Sequence, residues 1–418
     1  MNILKQSFYS SYEYVKTLIK WVFISVIIGV LGGLLGSAFH ESIEYVTHFR
    51  NENPYIILLL PIGGVVISAM YALSRRFGKI DTNRVIDSAS KEENVPLVMI
   101  PLIFISSVIT HLLGGSAGRE GAALQLGGSM GYNIGKIFRL NKADMRIIVM
   151  IGMSSVFSAL FGTPLAAAFF AIEVACVGIL HYTALVPCVI SSVVAYRIAL
   201  GFGIMPVAFE IPQIGLTTEI FIKVIFLAVL CAIVSIGFCT AIKKAEQYMK
   251  KYLPNTYIRG AVGGVIIVLL TILVGNTMYN GTGMDIISKA MDGLSVRPEA
   301  FLLKIIFTAL TVAAGFRGGE IVPAFFVGAT FGSFIGSLLG LDPAFAAAIG
   351  FVSLFCGIVN CPTASVFLAL EVFGSDNILI FAIVCGICYI MSGNFGLYKS
   401  QKIMYSKLDE HYIDENTK

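Results

Sequence analysis

The chain alternates long apolar runs with short polar breaks from one end to the other. Apolar stretches cover about residues 21–46, 55–75, 97–113, 121–138, 147–160, 164–200, 217–242, 258–276, 301–315, 321–340, 343–360, 362–374 and 378–394. A simple membrane span needs about 20 apolar residues. Several of these runs are shorter, are broken by Gly or Pro, or are long enough to hold two helices. The pattern predicts an all-α polytopic membrane protein with tilted and discontinuous helices.

The polar breaks are mostly basic. Arg75, Arg76 and Lys79 form one group, and Lys136, Arg139, Lys142 and Arg146 a second. Lys243, Lys244, Lys250 and Lys251 form a third, and Lys399, Lys402 and Lys407 a fourth. The bias of Lys and Arg towards the cytoplasmic side makes these breaks cytoplasmic. The N-terminal segment is basic as well, and the last basic group adjoins the C-terminus, so both termini are expected in the cytoplasm. Residues 1–20 are therefore expected as a cytoplasmic segment, 21–400 as the spanning domain and 401–418 as a short cytoplasmic tail too small for a regulatory domain. No small-residue cleavage site follows the N-terminal segment, so no signal peptide is expected.

The chain also repeats. FGTPLAAAFFAIEV (161–174) matches VNCPTASVFLALEV (359–372), with Pro164 to Glu173 spaced like Pro362 to Glu371. Upstream, Gly127, Gly131 and Gly135 are echoed by Gly328, Gly332 and Gly336, and Arg119-Glu120 by Arg317-Gly-Gly-Glu320. Two homologous halves, about 21–205 and 206–400, are the economical reading. In transporters such halves are commonly inverted, with the binding site between them at broken helices. The glycine rows themselves indicate close helix packing.

Composition agrees with the pattern. Of 418 residues, 57% are hydrophobic and 13% charged, against about 25% charged in soluble chains. The net charge of +4 is spread along the chain and points to no nucleic acid. The eight cysteines lie almost entirely in apolar runs, which excludes a disulfide framework. Cys385 and Cys388 form a CxxC without aqueous access or a second pair, so they read as buried inert thiols. No metal site and no cofactor are expected.

A charge at the bilayer centre costs about 2.5–3.5 kcal/mol on insertion scales, so the acidic residues inside the apolar runs carry the chemistry. Glu120 follows GGSAGR, where glycines break one helix and a new one starts. Unpaired N–H groups and the helix dipole there favour an anion. The alternative is a local Arg119–Glu120 ion pair, disfavoured because adjacent helical residues do not face each other. Glu320 opens EIVPAFFVGATFG, with Pro323 suited to a first helical turn; its alternative is a pair with Arg317. Glu173 and Glu371, at matched positions, read more readily as a shared structural contact. Asp87 is expected at a membrane edge, solvated. An ionised Glu120 would block an anion path; a protonated one would leave it and carry a proton.

These motifs together resemble the CLC family of anion channels and anion/proton antiporters over roughly residues 75–400. GREGA (118–122) resembles the family's GREGP, which implies that Glu120 is the gating glutamate on a stretch with Gly118, Arg119, Gly121 and Ala122. GGEIVP falls where the family has GxFxP, placing Gly319, Glu320, Ile321, Val322 and Pro323. Tyr398, in GLYKSQ, falls at the family's anion-coordinating tyrosine. The resemblance implies a CLC-type fold of two inverted repeats. It also implies a homodimer in the plasma membrane bilayer, with one pathway per subunit.

The departures from the family pattern narrow the reading. Chloride-type members carry GSGIP; here the stretch is IDTNRVID, with Asn83 in place of the serine. The glutamate-rich helix end has Val174 after Glu173, so the usual internal proton-transfer glutamate is missing. A glutamate, Glu320, is gained in the second-half motif, followed by Ile321 in place of phenylalanine. This set resembles the fluoride-exporting branch, which exchanges cytoplasmic fluoride for external protons. Fluoride is strongly hydrated, and its site must supply good donors; Asn83, Tyr398 and a protonated Glu320 can do so. The expected function is fluoride/proton antiport, with protons and fluoride as partners. The alternative is a chloride/proton antiporter or chloride channel on the same fold. An intramembrane enzyme is the distant rival. His40, His48, His111, His181 and His411 are scattered, form no HExxH, and leave Cys361 without a nearby base.

Overall fold

The computed structural model describes residues 2–78, 80–91, 93–409 and 411–418, the side chains of residues 2–11 and of Arg75 excepted. Lys79, one of the basic residues counted above, lies outside the described residues. The first half contributes α1 (Asn2–Glu52), α2 (Leu60–Leu73), α3 (Thr82–Lys91), α4 (Met99–Leu112), α5 (Glu120–Ile137), α6 (Lys142–Phe161), α7 (Pro164–Glu173) and α8 (Leu185–Gly201). The second contributes α9 (Thr218–Tyr252), α10 (Thr256–Val274), α11 (Met284–Met291), α12 (Ala300–Ala314), α13 (Ile321–Leu338), α14 (Pro343–Val359), α15 (Pro362–Phe373) and α16 (Ile378–Met391). Seven helical segments among the described residues are long and apolar enough to cross a membrane by length and composition. The chain is a multi-pass membrane protein.

Local chemistry sets several helix ends. Asn141 Oδ1 accepts from Asp144 N–H at the start of α6, and Gly162, at φ 75°, stops it. Asn255 caps α10, and Asp342 caps α14 with Pro343 in its first turn. Side-chain oxygens at such positions satisfy N–H groups that the helix itself leaves unpaired.

α7 and α15 differ. Each starts at a proline, and neither Thr163 nor Cys361 supplies a side-chain cap. The caps come from the opposite half. Glu371 accepts from Leu165 N–H (2.8 Å) and Ala166 N–H (2.9 Å) at the start of α7. Glu173 accepts from Thr363 N–H (3.3 Å) and Ala364 N–H (3.0 Å) at the start of α15. The matched glutamates are thus a reciprocal structural contact. Reciprocity of this kind, i to j and j to i, is the mark of a two-fold relation.

The rest of the molecule follows the same two-fold. At the α5–α6 crossing, a Cβ on Gly127 would lie 2.1 Å from Gly152 O; at the α13–α14 crossing, a Cβ on Gly328 would lie 2.2 Å from Gly350 O. Glycine lets these backbones touch, as the repeated rows predicted. α6 and α13 are 78% buried over their apolar windows, whereas α1, α9 and α10 are buried by 33–39%. The centre is therefore α5, α6, α13 and α14, and the outer helices present apolar faces outward. Phe325 ties the halves together, stacking on Phe351 at 3.9 Å and meeting Phe161 at 5.5 Å.

Three features depart from expectation. α1 runs without a break through residue 20, so no structural boundary separates 1–20 from the spanning region. α3 and α11 are helices where no apolar run stood, because they are short and polar on one side. The segment after residue 400 is not a plain tail. β2 (Lys402–Tyr405) and β3 (Tyr412–Asn416) form an antiparallel hairpin, and β2 pairs in parallel with β1 (Cys176–Val177), just beyond α7. All eight cysteines are free thiols, and Cys385 and Cys388 are buried.

A closed pathway between two cavities

Two cavities approach the centre. The first, of about 440 Å³, is lined by the end of α2, the start of α3, the end of α9, Thr256 and Arg259 of α10, Arg317, Glu320 and Tyr398. The second, of about 820 Å³, is lined by the end of α1, Arg119, and residues 277–289 beyond α10. The start of α10 thus meets the first cavity and its end leads to the second. At 1.5 Å per residue, its 19 residues separate the two mouths by about 28 Å. α1 ends at the second cavity and its counterpart α9 at the first, so corresponding helices run in opposite directions. The repeats are inverted.

The block between the cavities is built from the two helix breaks. Gly118 and Gly319 form an isolated antiparallel bridge, each N–H donating to the other's carbonyl at 2.6 Å. A Cβ on Gly319 would lie 2.4 Å from Gly121 N, and one on Gly118 would lie 2.9 Å from Val322 Cβ and 3.1 Å from Pro323 Cδ. Only glycine fits where the two chains pass. From this bridge α5 and α13 leave in turn. The first-turn N–H groups of Gly121, Ala122, Ile321 and Val322 have no helical carbonyl four residues back to receive them. All four residues are buried.

Glu120 sits in this block, fully buried, at the first position of α5. Its Oε2 accepts from Arg119 N–H at 3.0 Å, and Arg119 Nε lies 3.6 Å from Oε1. The local ion pair disfavoured from the sequence is therefore present. Arg119 is the residue before the helix rather than within it, so the facing rule for helical neighbours does not apply. Oε1 has no hydrogen-bond partner among the described residues. Arg119 lines the second cavity and Glu320 the first. The carboxylate is thus sealed between them.

Glu320 precedes α13, and its Oε2 would lie 3.5 Å from a Cβ on Gly121. The alternative pair with Arg317 is not formed. Arg317 instead stacks over the Tyr71 ring at 4.0 Å and makes no ion pair among the described residues. Asn83 and Tyr398 line the same cavity as Glu320. Asn83 lies in the first turn of α3; its Oδ1 accepts from Ser400 N–H at 3.0 Å, which leaves the amide N–H₂ for the cavity. Tyr398 is 3% exposed, and its hydroxyl has no partner among the described residues. An unpartnered buried hydroxyl is costly, so this one is a donor in reserve. Asp87, expected to be solvated, instead accepts from Ser400 Oγ at 2.5 Å and from Lys91 at 2.9 Å. It helps to dock α3 on the segment that carries Tyr398.

Sequence reasoning passed over Gln125, which lines the first cavity one turn beyond Gly121. Its i+4 spacing from Gly121 on one face of α5 was the available signal. His40, set aside above as one of the scattered histidines, lines the second cavity with Arg119 and shares a 2.8 Å hydrogen bond with Glu44. No group of three or more metal-ligating side chains is found among the described residues.

The family model described as voltage gated chloride channel matches residues 69–393. The chain is 32% identical to a chloride/fluoride channel protein of Pseudomonas syringae pv. tomato, over 93% of this chain and 87% of that one. It is 26% identical to an H(+)/Cl(-) exchange transporter of Yersinia pestis bv. Antiqua, over 87% of this chain and 81% of that one. Among solved structures, that of a CLC-type fluoride/proton antiporter superposes with a TM-score of 0.87 at 32% identity, covering 92% of this chain and 98% of that one. A glutamate locked at the meeting point of two inverted helix breaks, a family model spanning most of the chain and a matching fold agree: the chain belongs to the voltage-gated chloride channel (CLC) family.

Proposed function

We propose that this chain is a secondary transporter, not an enzyme, that exports fluoride in exchange for external protons, with Glu120 as the proton-carrying gate. The observation that carries this reading is the Glu120 carboxylate, buried between two cavities that open at opposite ends of α10. Ionised, it occupies the positive end of α5 and closes the path. Protonated, it loses most of its attraction to the helix N-terminus and can yield the place to an anion. The similarity to a fluoride/proton antiporter and a chloride/fluoride channel protein supports fluoride as the cargo.

The donors on the first cavity suit that cargo. Fluoride leaves tightly held water only for comparable hydrogen bonds. The Asn83 amide, the Tyr398 hydroxyl and the first-turn N–H groups of α5 and α13 supply them. Glu320, beside Gly121, acts as a proton or fluoride relay on the cytoplasmic side. Lys243, Lys250, Arg259 and Lys399 line that cavity, which by the positive-inside bias opens to the cytoplasm. By the same reading the protein is a homodimer in the plasma membrane with both termini cytoplasmic.

The test is ion flux in proteoliposomes under a pH gradient. The wild type is expected to take up protons against fluoride release, with chloride a poor substitute, and Glu120→Gln to lose the proton flux. Equal coupling to chloride would move the assignment to chloride/proton exchange. Glu320→Gln is expected to lower coupled export; an unaltered rate and stoichiometry would remove Glu320 from the relay.

A further inference from the structure

Tyr398 belongs to no helix or strand. It lies in an irregular stretch between α16 and β2, yet its phenol must stay fixed if it is to hold a small ion. Its backbone is fastened from three sides. From α3, Asn83 and Asp87 take Ser400, as described. From the end of α14, Asn360 donates through Nδ2 to Phe395 O at 2.9 Å and to Gln401 Oε1 at 3.2 Å, while Leu397 N–H donates to Ile358 O at 2.9 Å. Gln401 Nε2 donates to Val359 O at 2.6 Å. From beyond the hairpin, Thr417 Oγ1 donates to the carbonyl of Tyr398 itself at 2.6 Å, and Thr417 N–H donates to Gln401 O at 3.1 Å.

This is a buried polar network. Asn360 and Gln401 are fully buried and Thr417 is 7% exposed. Asn360 holds a left-handed conformation, at φ 54°, to end α14 and face the stretch. Lys407, in the hairpin turn, reaches back to Asn360 Oδ1 at 2.5 Å and to Tyr389 O at 2.8 Å. Gly396 is packed so closely that a Cβ there would lie 2.7 Å from Asn360 Nδ2 and 3.0 Å from Thr417 Cγ2. Such a network is rigid only when every member is satisfied. Here the last member arrives from the segment beyond β3.

We propose that residues 401–417 are a positioning element for the anion site, with Thr417 fixing the Tyr398 carbonyl and Lys407 fixing Asn360, so that the phenol is held ready on the cavity. This rests on the reading of Tyr398 as a halide donor. Thr417 touches no ion; it acts through Tyr398.

The experiment compares Thr417→Val, Thr417→Ser and Tyr398→Phe in proteoliposomes, scoring initial fluoride efflux against internal fluoride. Loss of one buried hydrogen bond worth about 1 kcal/mol predicts a KM for fluoride raised about fivefold in Thr417→Val, with maximal rate retained. Thr417→Ser is expected to restore the wild-type KM. A Thr417→Val KM equal to wild type while Tyr398→Phe raises its own would overturn the proposal. So would a fall in maximal rate alone that Ser does not correct, since that marks a merely structural role. If Thr417→Val does not yield monodisperse protein, Lys407→Met carries the same comparison. A wild type that moves no fluoride but exchanges chloride sinks the fluoride reading alone, and the same variants scored on chloride then decide the positioning role.

Discussion

Asn83 and Tyr398 show how one side-chain atom is used to aim another. The Asn83 carbonyl oxygen is engaged by Ser400, which turns its donors to the cavity, and the Tyr398 hydroxyl is left without a partner among the described residues. A hydrogen bond to a charged partner contributes about 1.5–3 kcal/mol. Tyr398→Phe is therefore expected to weaken halide binding by about ten- to a hundredfold, read as the shift in half-saturating fluoride or by calorimetric titration. A change under twofold would show that the phenol does not reach the ion. At Glu120 the neighbouring Arg119 changes the logic set out from the sequence alone. The carboxylate is steadied by a guanidinium that itself lines the second cavity, so Glu120 and that mouth share one neighbour.

Helices here are finished by partners from far away in the chain. α7 and α15 lack caps of their own and receive Glu371 and Glu173. Glu371→Ala removes a carboxylate and strands two N–H groups, so the purified protein should melt several degrees lower, with Glu371→Gln intermediate because its amide oxygen still accepts. An Ala variant with an unchanged melting temperature would mean that water replaces the cap. Gly319→Ala is the harsher change, because its methyl would meet backbone rather than a movable side chain. It should abolish expression of folded protein, judged by size-exclusion profile. Much of this level was legible beforehand. Pro164 to Glu173 and Pro362 to Glu371 share a spacing, and the glycine rows announced close crossings. What could not be read was which N–H groups each glutamate meets, since that depends on the fold rather than on neighbours in sequence. α3 and α11 escaped for a related reason: eight to ten residues of mixed polarity do not stand out among apolar runs.

The whole molecule is two copies of one plan laid head to tail, and the cavities at opposite ends of α10 are its functional result. Cysteines placed at Lys399 and Lys289 on a Cys176→Ser background should label from opposite faces of a sealed membrane, Lys399→Cys from the cytoplasmic side. Labelling of both from one face would contradict the closed, two-mouthed arrangement. Ordered motifs in two halves pointed to Glu120, Glu320 and Tyr398 and more loosely to Asn83, whereas the cavity that Asn83, Glu320 and Tyr398 share emerges only from the fold. The supporting ring of Asn360, Gln401 and Thr417 was not legible, because ordinary polar residues far apart in sequence acquire meaning only when the chain has closed.

The crossed caps have a consequence for biosynthesis. Glu371 serves N–H groups more than 200 residues upstream of it. While the ribosome is still making α9, the start of α7 is already in or near lipid with nothing to satisfy it, a state the bilayer penalises. The newborn first half must therefore wait, loosely assembled and dependent on water or the insertion machinery, until its twin emerges to complete it.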